Sequence, residues 1–161
     1  MSHLENIKSK VLNQDQLQIQ LEEWKSEKKK IAFTNGCFDI IHRGHIHYLA
    51  QAADLGDYLI VGLNTDDSVR KLKGNNRPVQ DENTRAEILA SLSFISAVIL
   101  FEENTPINLI ETINPHILIK GGDYQESDIV GADFVKANGG EVKTIPFLDG
   151  HSTSELIAKF N

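Results

Sequence analysis

The sequence predicts an α/β fold, a single doubly wound domain on a parallel sheet of about five strands. Three observations lead there. From residue 30 onward, short apolar runs alternate with segments whose apolar residues keep helical spacing. The apolar runs are continuous rather than strictly alternating, as in strands buried on both faces. The segments between them can serve as helical crossovers, which join parallel neighbours with a right hand. Length agrees, since 161 residues with an apolar fraction of 40% suit one globular domain with its own core.

The elements follow in order. KIAFT (30–34) is the first strand. Ile46, Leu49, Ala50 and Ala53 then form a helical face that stops at Gly56, a glycine suited to the position after a helix end. YLIVGL (58–63) is the second strand, and Asp66 to Lys71 a short helix. KGNNRPVQ (73–80) is too polar for either and reads as loop. Ala86, Ile88, Leu89 and Leu92 mark the next helix, and AVIL (97–100) the third strand. Thr105 as N-cap with Pro106 at the first helical position opens a helix to about Thr112. HILIK (116–120) and EVKTI (141–145) are the fourth and fifth strands with a helix between them, and Ser152 to Phe160 is the closing helix. Residues 1–29 stand apart as a helical extension, with a helix from about Asp15 to Lys29. Its Leu17, Leu21 and Trp24 share one face, and EKKK forms a solvated last turn. The domain proper then runs over 30–161, and the arrangement is Rossmann-like.

Composition excludes several classes. Sixteen Lys and Arg against 23 Asp and Glu give a net charge of −7, which argues against a nucleic-acid partner. The single cysteine, Cys37, has no partner for an internal disulfide and cannot complete a Cys/His zinc pattern, which suits a reducing, cytoplasmic setting. No apolar run follows the charges of MSHLENIKSK, so no signal peptide is expected. No stretch approaches the ~18 apolar residues of a membrane span, so no membrane partner is expected.

In a doubly wound sheet, ligands bind beyond the carboxyl ends of the strands. After the first strand stands TNGCFDIIHRGH (34–45). Gly36 permits a tight turn, and a helix beginning near Gly44 aims its free N–H groups into the same crevice, a phosphate-binding arrangement. GxGxxG and GxxxxGK[ST] are both absent, which disfavours a dinucleotide oxidoreductase and a P-loop kinase. His42 and His45 at that helix start suit donors to phosphate oxygens, with pKa values lowered by the helix N-terminus. A third metal ligand is not evident beside them, so no protein-held metal is expected. Asp39 reads either as a ligand to Mg²⁺ or a substrate hydroxyl, or as a turn residue. Cys37, if accessible, is expected to lean toward thiolate. Arg70, Lys71, Lys73 and Arg77 form a local anion trap, and Arg85 opens the next helix. Gly121-Gly122 suggest close backbone approach to a ligand, and Asp123 beside them can accept from sugar hydroxyls. Ser152, Thr153 and Ser154 begin the last helix, where they cap it, with Ser152 and Glu155 as a capping box, or donate to phosphates.

These motifs resemble the HxGH-containing nucleotidyltransferases, of which the cytidylyltransferases are typical. GCFDIIHRGHIHYL carries the resemblance, with HSTSELI matching the Ser/Thr-rich helix start near the end. FTNGCFD, KGNNRPV, LIKGGDY and GHSTSELI look most like the heptose 1-phosphate adenylyltransferases within that group, over about residues 30 to 160. The resemblance implies a nucleotidyltransferase that joins a sugar phosphate to the α-phosphorus of ATP, with Mg²⁺ and pyrophosphate leaving together. It implies that His42, His45 and Lys73 are catalytic, and that Asn35, Gly36, Phe38, Gly44, Asp123, Ser152, Thr153 and Ser154 bind the nucleotide. Asp39, Arg70, Arg77 and Arg85 fall to the acceptor and phosphates. It implies a homodimer, lipopolysaccharide biosynthesis as the setting, and a sugar kinase as a separate protein. One departure is that cytidylyltransferases carry an arginine just before the Ser/Thr motif, where this chain has FLDGH (147–151). The alternatives are a cytidylyltransferase for glycerol 3-phosphate or a similar alcohol phosphate, and a non-catalytic nucleotide sensor.

Overall fold

The computed structural model describes residues 1–122 and 124–161. Helix His3–Ser9 (α1), strand Val11–Leu12 (β1) and helix Gln14–Ser26 (α2) precede strand Ile31–Gly36 (β2). Helix Arg43–Ala53 (α3), strand Tyr58–Asn64 (β3), helices Asp66–Lys73 (α4) and Glu82–Ser91 (α5) and strand Ala97–Phe101 (β4) follow. The chain then forms helix Ile107–Ile113 (α6), strand Ile117–Gly121 (β5), a 3-10 turn Glu126–Asp128, helix Ala132–Ala137 (α7), strand Glu141–Ile145 (β6) and helix Thr153–Ala158 (α8). Among the described residues, no helix is long and apolar enough to cross a membrane.

The strands lie in the order β1-β4-β3-β2-β5-β6, and every neighbouring pair is parallel. From β2 the chain winds outward through β3 to β4, then returns to the other side of β2 for β5 and β6. The direction of winding therefore reverses between β2 and β5, where the crevice of such a sheet opens. Both faces are covered. Ile31, Phe33 and Ile60 pack with Leu109, Ile110 and Ile113 of α6 and Val135 of α7 on one side. Ala32, Leu59, Val61 and Leu63 pack with Leu49 of α3 and Ala86 and Leu89 of α5 on the other. This two-sided burial is why the strands read as continuous apolar runs.

The sheet has six strands rather than about five. The added one is β1, whose two residues pair with Val98 and Ile99. Two residues are too few to show any periodicity in sequence. The segment set apart as an extension thus supplies an edge of the sheet, and it also supplies core. Leu17, Leu21 and Trp24 are buried against the β2 face, and Trp24 stacks on Tyr58 with ring centroids 4.3 Å apart. The helix there runs over Gln14–Ser26, not to Lys29. Asn13 caps its start by accepting from the Gln16 amide at 2.9 Å. At its end Lys28 turns left-handed (φ 59°) and the Lys29 amide donates back to the Trp24 carbonyl at 3.0 Å, which closes the helix before EKKK can extend it. At α6 the start lies one residue later than expected: Pro106 is the cap residue, with no side-chain cap from Thr105.

One side chain ties the strand ends together. Arg85 of α5 is fully buried. Its Nη1 donates to the carbonyls of Cys37 and Asn64, both at 2.8 Å, its Nε to the Gln80 carbonyl at 3.0 Å, and its Nη2 to Asp66 at 2.7 Å. The sequence places Arg85 with the phosphate ligands; the structure spends its guanidinium on backbone carbonyls, so it positions the crevice walls instead. Replacing it leaves those acceptors without donors in a dry place. Arg85→Met is expected to lower stability by roughly 2–4 kcal/mol in urea denaturation. A loss below about 1 kcal/mol would mean that water replaces the guanidinium at little cost.

Candidate active site

The crevice at the β2/β5 reversal is a cavity of about 630 Å³, within the range of nucleotide and cofactor sites. Its floor begins with the turn after β2. Phe38 adopts a positive φ of 44°, and its buried ring lies so close to Gly36 that a Cβ there would sit 2.9 Å from Cε2. Asn35, Gly36 and Phe38 all line the cavity. Below them the buried hydroxyls of Thr34 and Tyr48 share a hydrogen bond of 2.7 Å.

His42 is the N-cap of α3, and its Nδ1 accepts from the Gly44 amide at 3.1 Å. His45 completes the cap, its Nδ1 accepting from the His42 amide at 3.3 Å. An amide can only donate, so each Nδ1 is an acceptor and each neutral ring carries its proton on Nε2. The rings stack with centroids 3.8 Å apart. Burial, then the neighbouring His42, push His45 down to about 4, against a backbone hydrogen bond at Ile40. Burial, then the charge of His151, lower His42 below its ordinary value. Both histidines and Gly44 line the cavity, as does His151, whose ring centroid is 6.4 Å from that of His42. His151 was not among the sequence candidates; its place directly before Ser152 was the available signal.

Ser152, Thr153 and Ser154 line the same cavity. Ser152 caps α8 by accepting from the Glu155 amide at 3.1 Å, and Thr153 Oγ1 donates to the Ile40 carbonyl at 3.3 Å. That last bond ties the C-terminal segment to the turn that carries the histidines.

The basic loop divides. Lys73 and Arg77 line the cavity. Arg70 does not; it pairs on the surface with Asp67, its neighbour one helical turn away. Asp39 is buried, and both its oxygens are occupied. It accepts from Arg77 Nε at 2.7 Å, from the Val79 amide at 2.9 and 2.8 Å, and from the Gln80 amide at 3.0 Å. Burial of Asp39 opposes its ionisation, but the Gln80 and Val79 amides and then Arg77 outweigh it and hold the carboxyl below its usual range. Asp39 thus anchors the 77–80 loop while lining the cavity. Cys37 is only partly accessible, so the condition for a thiolate there is not met in full. Burial pushes that thiol up, and Lys73, Arg85 and Arg77 only partly offset the rise.

On the far side Lys120, one residue before the end of β5, is half-buried, its Nζ 5.2 Å from the Tyr124 ring centroid. Burial lowers its pKa, with the charge of Cys37 acting the other way. Lys120 and Tyr124 line the cavity and were absent from the sequence candidates, as were Asn104 and Thr105 beyond β4. Asp123 lies outside the described residues. Gly121 and Gly122 were expected to admit a ligand, but they admit a side chain of the chain itself. A Cβ on either would lie 2.7 or 2.8 Å from the ring of Phe147. Among the described residues, no group of three or more His, Cys, Asp or Glu is placed to hold a metal ion.

Comparison with known proteins agrees with this geometry. The bifunctional protein HldE of Citrifermentans bemidjiense is 53% identical over 94% of this chain, and that of Rhodopseudomonas palustris BisA53 is 55% identical over 86%. The chain spans about a third of the length of these relatives, 31% and 28% respectively. A lipopolysaccharide core biosynthesis protein from Thermoplasma volcanium superposes with a TM-score of 0.61 and 30% identity, covering 74% of this chain and 97% of that one. The pantoate-beta-alanine ligase of Francisella tularensis shares the fold alone, with a TM-score of 0.62 at 16% identity. Residues 33–157, from β2 to α8, match the cytidylyltransferase-like family as one unit. The chain belongs to the cytidylyltransferase-like family.

Proposed function

We propose that this chain is an adenylyltransferase that moves AMP from ATP to a sugar 1-phosphate, D-glycero-β-D-manno-heptose 1-phosphate, to give ADP-heptose and pyrophosphate. The observation that carries the reading is the histidine pair at the start of α3, lining the cavity, with both Nδ1 atoms engaged by backbone amides so that each neutral ring keeps its proton on Nε2. The HldE relatives, about half identical over nearly all of this chain, favour the heptose acceptor over glycerol 3-phosphate.

The chemistry follows from the residues. An acceptor phosphate oxygen attacks the α-phosphorus, the bond to the bridging oxygen breaks, and pyrophosphate leaves. Negative charge grows on the leaving group, and donors already fixed in place stabilise it without reorganising. His42 and His45 are such donors, because the bonds that cap α3 also fix ring orientation and tautomer. Lys73 and Arg77 offset the repulsion between two anionic substrates. Mg²⁺ belongs to this reading as the companion of the triphosphate. A sugar kinase that supplies the 1-phosphate and a second copy of the chain are the partners this reading carries.

Three outcomes are expected. Pyrophosphate release measured across four NTPs and a panel of sugar and polyol phosphates should give a far higher kcat/KM for ATP with heptose 1-phosphate than for CTP with glycerol 3-phosphate. Comparable turnover of the CTP pair would replace this reading with the cytidylyl one. His42→Ala or His45→Ala should lower kcat by roughly 10²–10³ while ATP affinity changes little, since the donors matter most as charge develops. Equal losses in rate and affinity would reduce the pair to ground-state binding.

The third outcome concerns pH. The neutral rings are the working form, and both titrate below the ordinary histidine value of 6.5. The histidine contribution to kcat should therefore stay flat from about pH 8 down to about 6.5 and fall at lower pH, where a protonated Nδ1 can no longer accept from the α3 amides. A kcat that rises as pH falls from 8 to 6 would instead require imidazolium as the donor.

A further inference from the structure

We infer that His116 is a pH-sensitive clamp on the seam between the two halves of the sheet: the neutral imidazole closes the seam at its amino end, and protonation releases it.

The seam is the boundary between β2 and β5, where the direction of winding reverses. It is short. Two residue pairs join these strands, Ala32 with Ile117 and Phe33 with Leu118, against six pairs between β2 and β3. Farther along, Asn35 and Gly36 of β2 and Lys120 and Gly121 of β5 line the cavity. The pairing thus stops before the cavity begins, and the two strands are held together toward their amino ends.

There a side chain adds a bond to the ladder. The His116 amide donates to the Ile31 carbonyl at 2.9 Å. In a continuing parallel ladder the Ile31 amide would donate to the carbonyl two residues before His116. That residue, Asn114, ends α6 in the left-handed conformation (φ 47°), and Pro115 follows it. The Ile31 amide donates instead to Nδ1 of His116 at 3.0 Å. Ile31 is fully buried, and a buried amide needs an acceptor. The His116 carbonyl meanwhile accepts from the Glu141 amide at 2.8 Å, so one residue holds β2 on one side and β6 on the other.

An imidazole accepts at Nδ1 only while that nitrogen is unprotonated. His116 is exposed, so protons reach the ring. Most of the charges around it oppose protonation. Lys25 of α2 is held nearby, donating to the Ile113 carbonyl at 3.0 Å. Lys30 precedes β2, and its amide donates at 2.7 Å to Asp57, a carboxylate that favours imidazolium. On β6 Glu141 pairs with Lys143 at 3.4 Å. Partial burial, then Lys25 and Lys30, lower the His116 pKa against the pull of Asp57. A histidine whose folded pKa lies below its ordinary 6.5 binds its proton more readily when unfolded. Its contribution to stability is therefore complete above that ordinary value and is lost as pH falls through the folded one.

The test is urea denaturation of the full chain at about pH 8 and about pH 5, for the wild type, His116→Asn and His116→Ala. In the asparagine variant Oδ1 takes the place of Nδ1 and does not titrate. At pH about 8 it should match the wild type, whereas alanine should lower the folding constant roughly fivefold, the scale of one hydrogen bond. Between the two pH values the wild type should lose roughly fivefold more in folding constant than the asparagine variant. The titrations of His42 and His45 are common to both chains and cancel in that comparison. The wild type alone carries a second, local reading. At the lower pH the protection of its Ile31 amide against hydrogen exchange, corrected for the intrinsic rate, should fall relative to the amides of the β3–β4 ladder. Equal pH dependence in the wild type and the asparagine variant, or an Ile31 amide whose relative protection ignores pH, would overturn the inference.

Discussion

A parallel sheet places a row of backbone carbonyls at the carboxyl ends of its strands, and this chain must keep several of them dry while holding a polar cavity open beside them. Arg85 resolves that constraint. One guanidinium serves the carbonyls of Cys37, Asn64 and Gln80 and the carboxylate of Asp66, which joins the turn after β2, the end of β3 and the start of α4. Asp39 does the complementary task a few residues away, collecting the amides of Val79 and Gln80 and the Arg77 side chain. Buried charge of either sign is tolerable only when nearly every hydrogen-bonding position is used. The walls of the cavity are therefore fixed by two charged side chains whose hydrogen bonds run to the chain itself.

The same economy governs the histidines. A helix start has amides that need acceptors, and α3 takes them from the imidazoles of His42 and His45. Capping with a ring nitrogen keeps that nitrogen deprotonated, so the cap dictates the tautomer. Burial lowers both pKa values further, helped by His151 beside His42 and by His42 beside His45. One pair of side chains thus caps the helix through Nδ1 and, by the same bonds, fixes its own ring orientation and tautomer.

The α/β class, the parallel sheet and all five main strands were legible because burial on two faces writes continuous apolar runs. The edge strand β1 was not, since two residues carry no pattern, and the inward face of α2 was visible while its docking onto β2 was not. The cavity residues that follow strands directly, from Asn35 to His45 and from Ser152 to Ser154, were legible through the rule that ligands sit at strand ends. What failed was the sorting of charges. Arg70, Arg77, Arg85 and Asp39 look alike as polar residues in or near one loop, and only three-dimensional hydrogen bonding separates a surface pair, a cavity cation and two structural ties. Lys120, His151 and Phe147 were passed over because each stands beside a louder feature, the glycine pair or the Ser/Thr run.

The spacing of the histidine motif can itself be derived from contacts. The first histidine must be the N-cap, because only there does its Nδ1 face the amide two residues on. The second must be three residues later, where its Nδ1 meets the cap residue's own amide and its ring stacks at 3.8 Å on the first. Between them, position 44 has no room for a side chain. A Cβ there would lie 2.9 Å from Cε1 of His42 and 3.2 Å from Cβ of His151. Any larger residue would push the capping ring off its amide or push the C-terminal segment away from the cavity. The remaining position, Arg43, points into solvent and carries no such demand. Two fixed histidines, one obligatory glycine and one free residue are thus what a capped helix start requires when a second segment closes over it.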